Sequence, residues 1–153
     1  MKIKTILPVL FFLLLVFSCK SENPASSGSV SDSGNAVVTL TNESFRKLVF
    51  NYEASKEWKY EGDKPAIIDF YADWCPPCRE LSPLVEEIAN EYKGKIVVYK
   101  VNTDKEKELA QSIGISNLPT LLYIPATGNP QVTIGYIPKE TIIKKISEVL
   151  LTK

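Results

Sequence analysis

DFYADWCPPCR, residues 69–79, is the stretch that decides how the rest of this 153-residue chain is interpreted. It begins inside an apolar run, residues 65–71, which predicts a buried strand interrupted by one acid, Asp69. Two cysteines separated by two prolines follow. From Pro76 onward, apolar residues recur every three or four positions, which predicts a helix that ends at Gly94. The cysteines therefore stand where a buried strand passes into a helix.

Short apolar runs and helical patterns alternate on both sides of this stretch. The predicted order, from residue 37 to residue 151, is strand–helix–strand–helix–strand–helix–strand–strand–helix. Alternation that closes with a hairpin predicts an α/β fold, in which a central mixed β-sheet is flanked by helices on both faces. The other predicted strands are 37–40, 95–101, 120–124 and 131–134. The other predicted helices are one capped by Thr41 or Asn42, one over 105–113 and one over 139–151.

The stretch 69–79 is very similar to the active-site sequence of the thioredoxin family. The resemblance extends over residues 37–151. Two cysteines at this spacing would by themselves be weak evidence for membership of the family. The resemblance implies the thioredoxin fold and a thiol–disulfide oxidoreductase. The enzyme would exchange a Cys75/Cys78 dithiol or disulfide with other proteins, and it would need no cofactor besides this redox-active pair.

Further positions match the family at its own spacing. Pro83 matches a proline inside the helix, Asp69 a buried acid, and Lys100 a lysine that faces this acid from the next strand. Residues 118–120 match a loop with a cis-proline, and Gly135 matches a glycine of the substrate groove. An ordered set of this kind is far more specific than the cysteine pair alone.

The chemistry of the pair explains these residue types. Cys75 precedes a helix whose unpaired N–H groups and dipole favour a thiolate, so we expect Cys75 to be the exposed nucleophile and Cys78 the resolving thiol. Burial should raise the pKa of Asp69 and make it a proton acceptor for Cys78, and Lys100 should moderate that shift. The alternative for Asp69 is an acid at an exposed edge without a role.

The resemblance also implies how a substrate binds. The Leu118–Pro119 bond is expected to be cis, and the backbone before the proline is expected to pair with an extended substrate segment. The expected substrate-binding residues are Trp74, Pro76, Leu118, Pro119, Gly135 and Tyr136. For Trp74 and Tyr136, ordinary packing is the alternative interpretation.

Two other interpretations of the cysteine pair are weaker. A structural disulfide that closes so short a loop would stabilise by only about 2 kcal/mol, against about 4.7 kcal/mol for a 100-residue loop. A metal site needs four ligands, and the chain has three cysteines and no histidine. The absence of histidine also excludes His-based acid–base catalysis, and we expect no metal.

The first 36 residues have a composition of their own. Lys2 and Lys4 precede a 12-residue apolar run at 6–17, about 18 Å long as a helix and too short for the ~30 Å hydrocarbon core of a membrane. This pattern predicts a signal peptide at 1–18. Residues 16–19 resemble the cleavage site of bacterial lipoproteins, which implies lipid on Cys19; an ordinary signal peptide is the alternative. The Ser- and Gly-rich residues 19–36 predict a flexible tether, followed by a thioredoxin domain at 37–153.

Charge and context indicate the partners. Basic and acidic residues are 18 each, and removal of residues 1–18 leaves a net charge of −2, so we expect no nucleic-acid partner. We expect a monomer on the periplasmic side of the cell envelope, tethered by lipid. Its partners would be exported proteins with disulfides or thiols, and a membrane or periplasmic redox protein that resets the pair.

The direction of electron flow rests on the residues between the cysteines. Reducing members of the family carry Gly-Pro there and strong oxidants carry a histidine, and Pro76-Pro77 has neither feature. The missing histidine favours a reductant. An oxidant or isomerase with the same chemistry is the alternative. A second alternative is a lipoprotein that binds client proteins without catalysis; it is disfavoured because such a protein would need neither the cysteines nor Asp69. A third alternative is a dedicated reductase of apocytochrome thiols. It is disfavoured because such relatives often carry an insertion in the central part of the fold, and none is evident between Lys95 and Pro119.

Overall fold

The computed structural model describes residues 36–152 of the chain. The predicted signal peptide at 1–18, Cys19 and the predicted tether up to residue 35 lie outside the described residues. No helix within residues 36–152 combines the length and the apolar character needed to cross a membrane.

Five strands form one mixed sheet. In chain order they are β1 (Val37–Thr39), β2 (Ala66–Tyr71), β3 (Val97–Asn102), β4 (Thr120–Ile124) and β5 (Gln131–Ile134). Their order across the sheet is β1-β3-β2-β4-β5. The first three are parallel to one another, β4 is antiparallel to β2, and β5 is antiparallel to β4. The predicted order of elements and the mixed sheet are confirmed.

Helices cover both faces of the sheet, as predicted. They are α1 (Asn42–Leu48), α2 (Pro76–Glu91), α3 (Lys107–Ser112) and α4 (Lys139–Lys145). Successive side chains of a strand point to opposite faces, so the two faces have separate cores. One core joins Ile67 of β2 to α2 and α4, and the other joins Ile68 to α1 and α3.

The start of α1 shows how the sequence determines where a helix begins. Thr41 is the N-cap: its side chain accepts a hydrogen bond from the Ser44 N–H, and the Ser44 hydroxyl accepts one from the Thr41 N–H. This reciprocal pair satisfies two of the amide groups that a helix start leaves without partners. Phe45, fully buried in the second core, then holds the helix on the sheet.

Several predicted boundaries differ from the structure. Helix α2 ends at Glu91 rather than at Gly94, and β1 and β2 are each one residue shorter than predicted. The third strand lies one to two residues later than predicted, and α3 is shorter at both ends. The last helix, predicted to be continuous, changes after α4 into a π-helical turn at Ile146–Leu150, where the Leu151 N–H donates to the Ile146 carbonyl. Ile146, Val149 and Leu150 are buried there. Because this spacing suits α and π geometry alike, the residue pattern could not distinguish them.

Candidate active site

The two cysteines lie at the junction of β2 and α2. Cys75 is the N-cap of α2, Cys78 belongs to its first turn, and the two form a disulfide with their Cα atoms 5.3 Å apart. Both pack against Ala72, with Tyr71 and Leu118 alongside. This disulfide at a helix start gives the site its redox chemistry, because a thiolate can open and re-form it.

The first turn of α2 favours negative charge on the Cys75 sulfur. Pro76 and Pro77 have no N–H, so the amide of Cys78 is the first that can donate, and it donates to the Cys75 sulfur at 3.3 Å. The first turn of α2, all of which is described, contains no acidic residue. The unpaired N–H groups and the dipole of a helix N-terminus stabilise an anion there.

Cys75 is less accessible than predicted. It is only 3% exposed, because the disulfide holds its sulfur against Cys78 and Ala72, so the prediction of an exposed nucleophile is wrong for the oxidised state. Cys75 nevertheless lines a groove of about 410 Å³, whereas Cys78 does not. The two cysteines therefore differ in their position relative to the groove, and their separate roles as nucleophile and resolving thiol stay a prediction.

This opening, here called the Cys75 groove, brings together part of the predicted substrate site. Its walls are Trp74, Cys75, Pro76, Pro77, Thr103, Ile115, Ser116, Asn117 and Leu118. Pro119, Gly135 and Tyr136 are not among the lining residues, and their binding role stays a prediction. Sequence reasoning missed Thr103 and the loop 115–117. The position of that loop, directly before the predicted cis-proline, is the signal that could have found it.

Trp74 forms the outer wall of the groove. Its side chain is 67% exposed, yet its indole N–H donates to the Asp104 carboxylate at 2.8 Å. The amide of Asp104 donates in turn to the side-chain oxygen of buried Asn102. Asp104 and Asn102 were not predicted as site residues, since nothing in their spacing indicates this contact. They hold an exposed aromatic ring in place beside the disulfide.

The loop before β4 forms the opposite wall. The Leu118–Pro119 peptide bond is cis, as the resemblance implied. The Pro119 carbonyl accepts a hydrogen bond from the Gly135 N–H at 2.8 Å, and Gly135 has a φ of 87°, which favours glycine. Gly135 thus supports the loop from behind through its backbone.

Asp69 lies below the site in the middle of the sheet. It shares the face of Ile67, on which α2 packs, and it is 3% exposed. Burial raises its pKa to about 7, because the charged form loses its water, and Lys100, its neighbour on β3, lowers it. Its Oδ1 has no hydrogen-bond partner among residues 36–152. The acid is therefore buried rather than at an exposed edge, and its proton-accepting role stays a prediction.

The described residues contain no cluster of three or more metal-ligating side chains.

Comparison with known proteins gives one consistent result. The family model described as Thioredoxin matches residues 36–148. A thioredoxin of Borreliella burgdorferi is 48% identical over 110 residues, which cover 70% of this chain and 94% of that protein. A chloroplastic M-type thioredoxin of Spinacia oleracea is 36% identical over 138 residues, 86% of this chain and 76% of that protein.

A solved structure agrees with the sequence comparisons. The crystal structure of chloroplastic thioredoxin z superposes with a TM-score of 0.62 and 28% sequence identity. The match covers 73% of this chain and 92% of that one.

Proposed function

This chain belongs to the thioredoxin family, whose members are thiol–disulfide oxidoreductases, and from this premise we propose that it reduces disulfides in exported proteins of the cell envelope. The observation that carries the proposal is the Cys75–Cys78 disulfide at the start of α2, with Cys75 among the residues that line the groove. We infer that a client approaches the disulfide from this groove.

The reaction proceeds in two exchanges. In the reduced protein the Cys75 thiolate attacks one sulfur of a client disulfide; the client S–S bond breaks, a mixed disulfide forms, and the other client sulfur leaves as a thiolate. The Cys78 thiolate then attacks the Cys75 sulfur and displaces the second client thiolate. Two electrons pass to the client, and the Cys75–Cys78 disulfide remains.

Asp69 supplies the proton acceptor that the second exchange needs. Cys78 must lose its proton before it attacks, and it is sealed from solvent. A carboxyl group with a pKa of about 7 on the same sheet face accepts a proton near neutral pH far more readily than a water molecule. Lys100 keeps this pKa from rising further.

The reducing direction rests on the residues between the cysteines. Pro76 and Pro77 cannot stabilise a thiolate by a charged side chain, as the histidine of strongly oxidising relatives does. The relatives named above carry the name thioredoxin, which supports the same direction. Turnover then requires an external dithiol protein that donates two electrons to the oxidised pair.

The envelope location rests on the N-terminal sequence. We place the mature protein on the periplasmic side, held to the membrane by lipid on Cys19, because residues 16–19 follow the lipoprotein cleavage pattern. Exported clients follow from this location, since disulfides persist in oxidising compartments.

The reduction potential of the pair tests the direction. The full-length protein is equilibrated with glutathione buffers, and the fraction of alkylated Cys75 and Cys78 is measured by mass. We expect a value near the −270 mV typical of thioredoxin; a value of about −120 to −180 mV would place the protein with disulfide-forming or isomerising enzymes instead. A variant with both Cys75→Ser and Cys78→Ser corrects for alkylation at Cys19.

A further inference from the structure

A second cavity lies on the α1/α3 face of the sheet, in the part of the chain that the structure describes. It has a volume of about 300 Å³ and is lined by the loop after α3 and by one side of β4 and β5. We call it the distal groove. Its principal apolar walls are Phe50, Trp58, Ile115, Leu122, Val132 and Ile134.

The chemistry of the distal groove suits an apolar occupant. None of its lining residues is charged. Val132 and Ile134 are 51% and 61% exposed, although both point to the face on which Leu122 is buried, since Val132 pairs with Leu122 across the two strands. Large apolar side chains that are exposed to solvent in a concave surface are typical of a binding site.

The distal groove lies next to the Cys75 groove. Ile115, Ser116 and Asn117 line both of them. Ile134 pairs with Thr120, which directly follows the cis-proline. Val132 precedes Ile134 by two residues on β5, so it lies about 7 Å farther from the cis-proline at ~3.4 Å per residue. The apolar wall therefore runs from the cis-proline loop away from the disulfide, parallel to two strands.

We propose that the distal groove binds an apolar side chain of the client segment that carries the reacting cysteine. This inference rests on the proposed function and extends it to the choice of client. An extended segment advances ~3.3 Å per residue, so a side chain two to six residues from the cysteine reaches the groove. Apolar side chains next to a cysteine are normally buried in folded proteins. The groove thus selects clients that are unfolded or misfolded around their disulfide.

Peptide exchange tests the selectivity. Peptides contain one cysteine as a mixed disulfide with a small thiol, and a single leucine is scanned from two to six residues on either side; matched peptides carry serine there. The rate constant for reduction by the reduced full-length protein is measured for each pair. At one or more positions we expect the leucine peptide to react about tenfold faster or more, as expected from burial of a leucine side chain.

Variants assign this preference to the groove. Val132→Thr combined with Ile134→Thr keeps β-branched residues in β5 and removes apolar surface, and it should reduce the leucine-to-serine ratio towards one. Leu151→Ser removes an exposed apolar side chain outside the groove and should leave the ratio at the wild-type value. Because each ratio is taken within one protein, a general loss of thiol reactivity cancels.

Direct binding separates the two proposals. A labelled leucine peptide with serine in place of cysteine is titrated by fluorescence anisotropy, and it should bind more tightly to the wild type than to the Val132→Thr, Ile134→Thr variant. Equal binding, or a ratio near one in the wild type, overturns the groove while leaving disulfide reduction intact. Binding without any exchange overturns the proposed function instead.

A concentration-dependent dimer that the Val132→Thr, Ile134→Thr variant abolishes would assign the groove to a second copy of the chain and overturn the client assignment.

Discussion

Asp69 carries a carboxyl group into a strand whose neighbours Ile67, Ile68 and Phe70 are all buried. Burial raises its pKa to about 7, against about 3.9 for an unfolded chain. Between these two values the folded protein holds a proton that the unfolded chain has released. The free energy of unfolding therefore falls as the pH rises from about 4 to about 7, and then levels off.

Replacement of this acid should remove that pH dependence. A shift of roughly three pKa units corresponds to a cost on the order of 4 kcal/mol above pH 7. For Asp69→Asn we expect a free energy of unfolding that exceeds the wild-type value by an amount that grows between pH 4 and pH 8. Urea unfolding of both oxidised proteins at several pH values measures it.

The same variant should slow disulfide reduction, because Cys78 loses its proton acceptor. Parallel stability curves for the two proteins would contradict the burial argument, and an unchanged reduction rate would contradict the catalytic one. Asp73→Asn is the matched control, since Asp73 is exposed on the surface and should change neither quantity.

Individual residues of the site were predictable to different degrees. The position of Asp69 in an apolar strand indicated its burial directly. The roles of Leu118, Pro119 and Gly135 came only through the family resemblance, because their contacts join distant parts of the chain. Asp104, which binds the Trp74 indole, could not be predicted, since the contact spans 30 residues and has no periodic signature.

At the scale of one element, α1 depends on Thr41, the N-cap residue directly before it. Seven residues form a short helix, which is marginal without capping and packing. Thr41 supplies the capping oxygen, and Phe45 supplies the buried contact.

Loss of this cap should cost about 1 kcal/mol of the free energy of unfolding, as typical for an N-cap residue replaced by alanine. We therefore expect Thr41→Ala to unfold at a lower urea concentration with an unchanged slope. Thr41→Ser keeps the hydroxyl and should stay close to the wild type. If both variants lose the same free energy, the effect lies in the threonine methyl group and the capping argument fails.

The existence and order of the elements followed from hydrophobic periodicity, while their ends did not. Strand β3 begins where its pairing with β2 places it, and α3 begins at Lys107 without a side-chain cap, so neither start has a signal in its own stretch of sequence. The π-helical turn at Ile146–Leu150 is the extreme case, because the same buried positions satisfy either helix type.

At the scale of the molecule, the predicted thioredoxin fold is confirmed by the sheet topology and by the likeness to thioredoxin z. The mixed sheet with helices on both faces was predictable because alternating elements with a final hairpin allow few arrangements, whereas the thioredoxin fold itself was implied by the family resemblance. The distal groove was not predictable, since it forms between β5 and the loop after α3, two segments without a shared pattern.

Membrane attachment is the prediction that concerns the whole protein. Cys19→Ser should move the chain from the membrane to the soluble fraction, because serine cannot carry the thioether-linked lipid and several acyl chains give firm anchoring. Cell fractionation with metabolic labelling by an alkyne fatty acid measures both effects.

Cys75→Ser is the control for this labelling, since it removes a cysteine outside the cleavage pattern. It should keep both the lipid label and the membrane location. A Cys19→Ser protein that stays in the membrane fraction would instead favour an uncleaved N-terminal anchor.

The position of Cys75 on one groove wall also sets the kinetics of turnover. In the proposed reducing direction, the client and the electron donor both approach from the groove that Cys75 lines and Cys78 does not. Client and donor therefore compete for a single place and react in alternation, which is a ping-pong scheme. An abundant client then acts as its own inhibitor, by occupying the site that the electron donor needs.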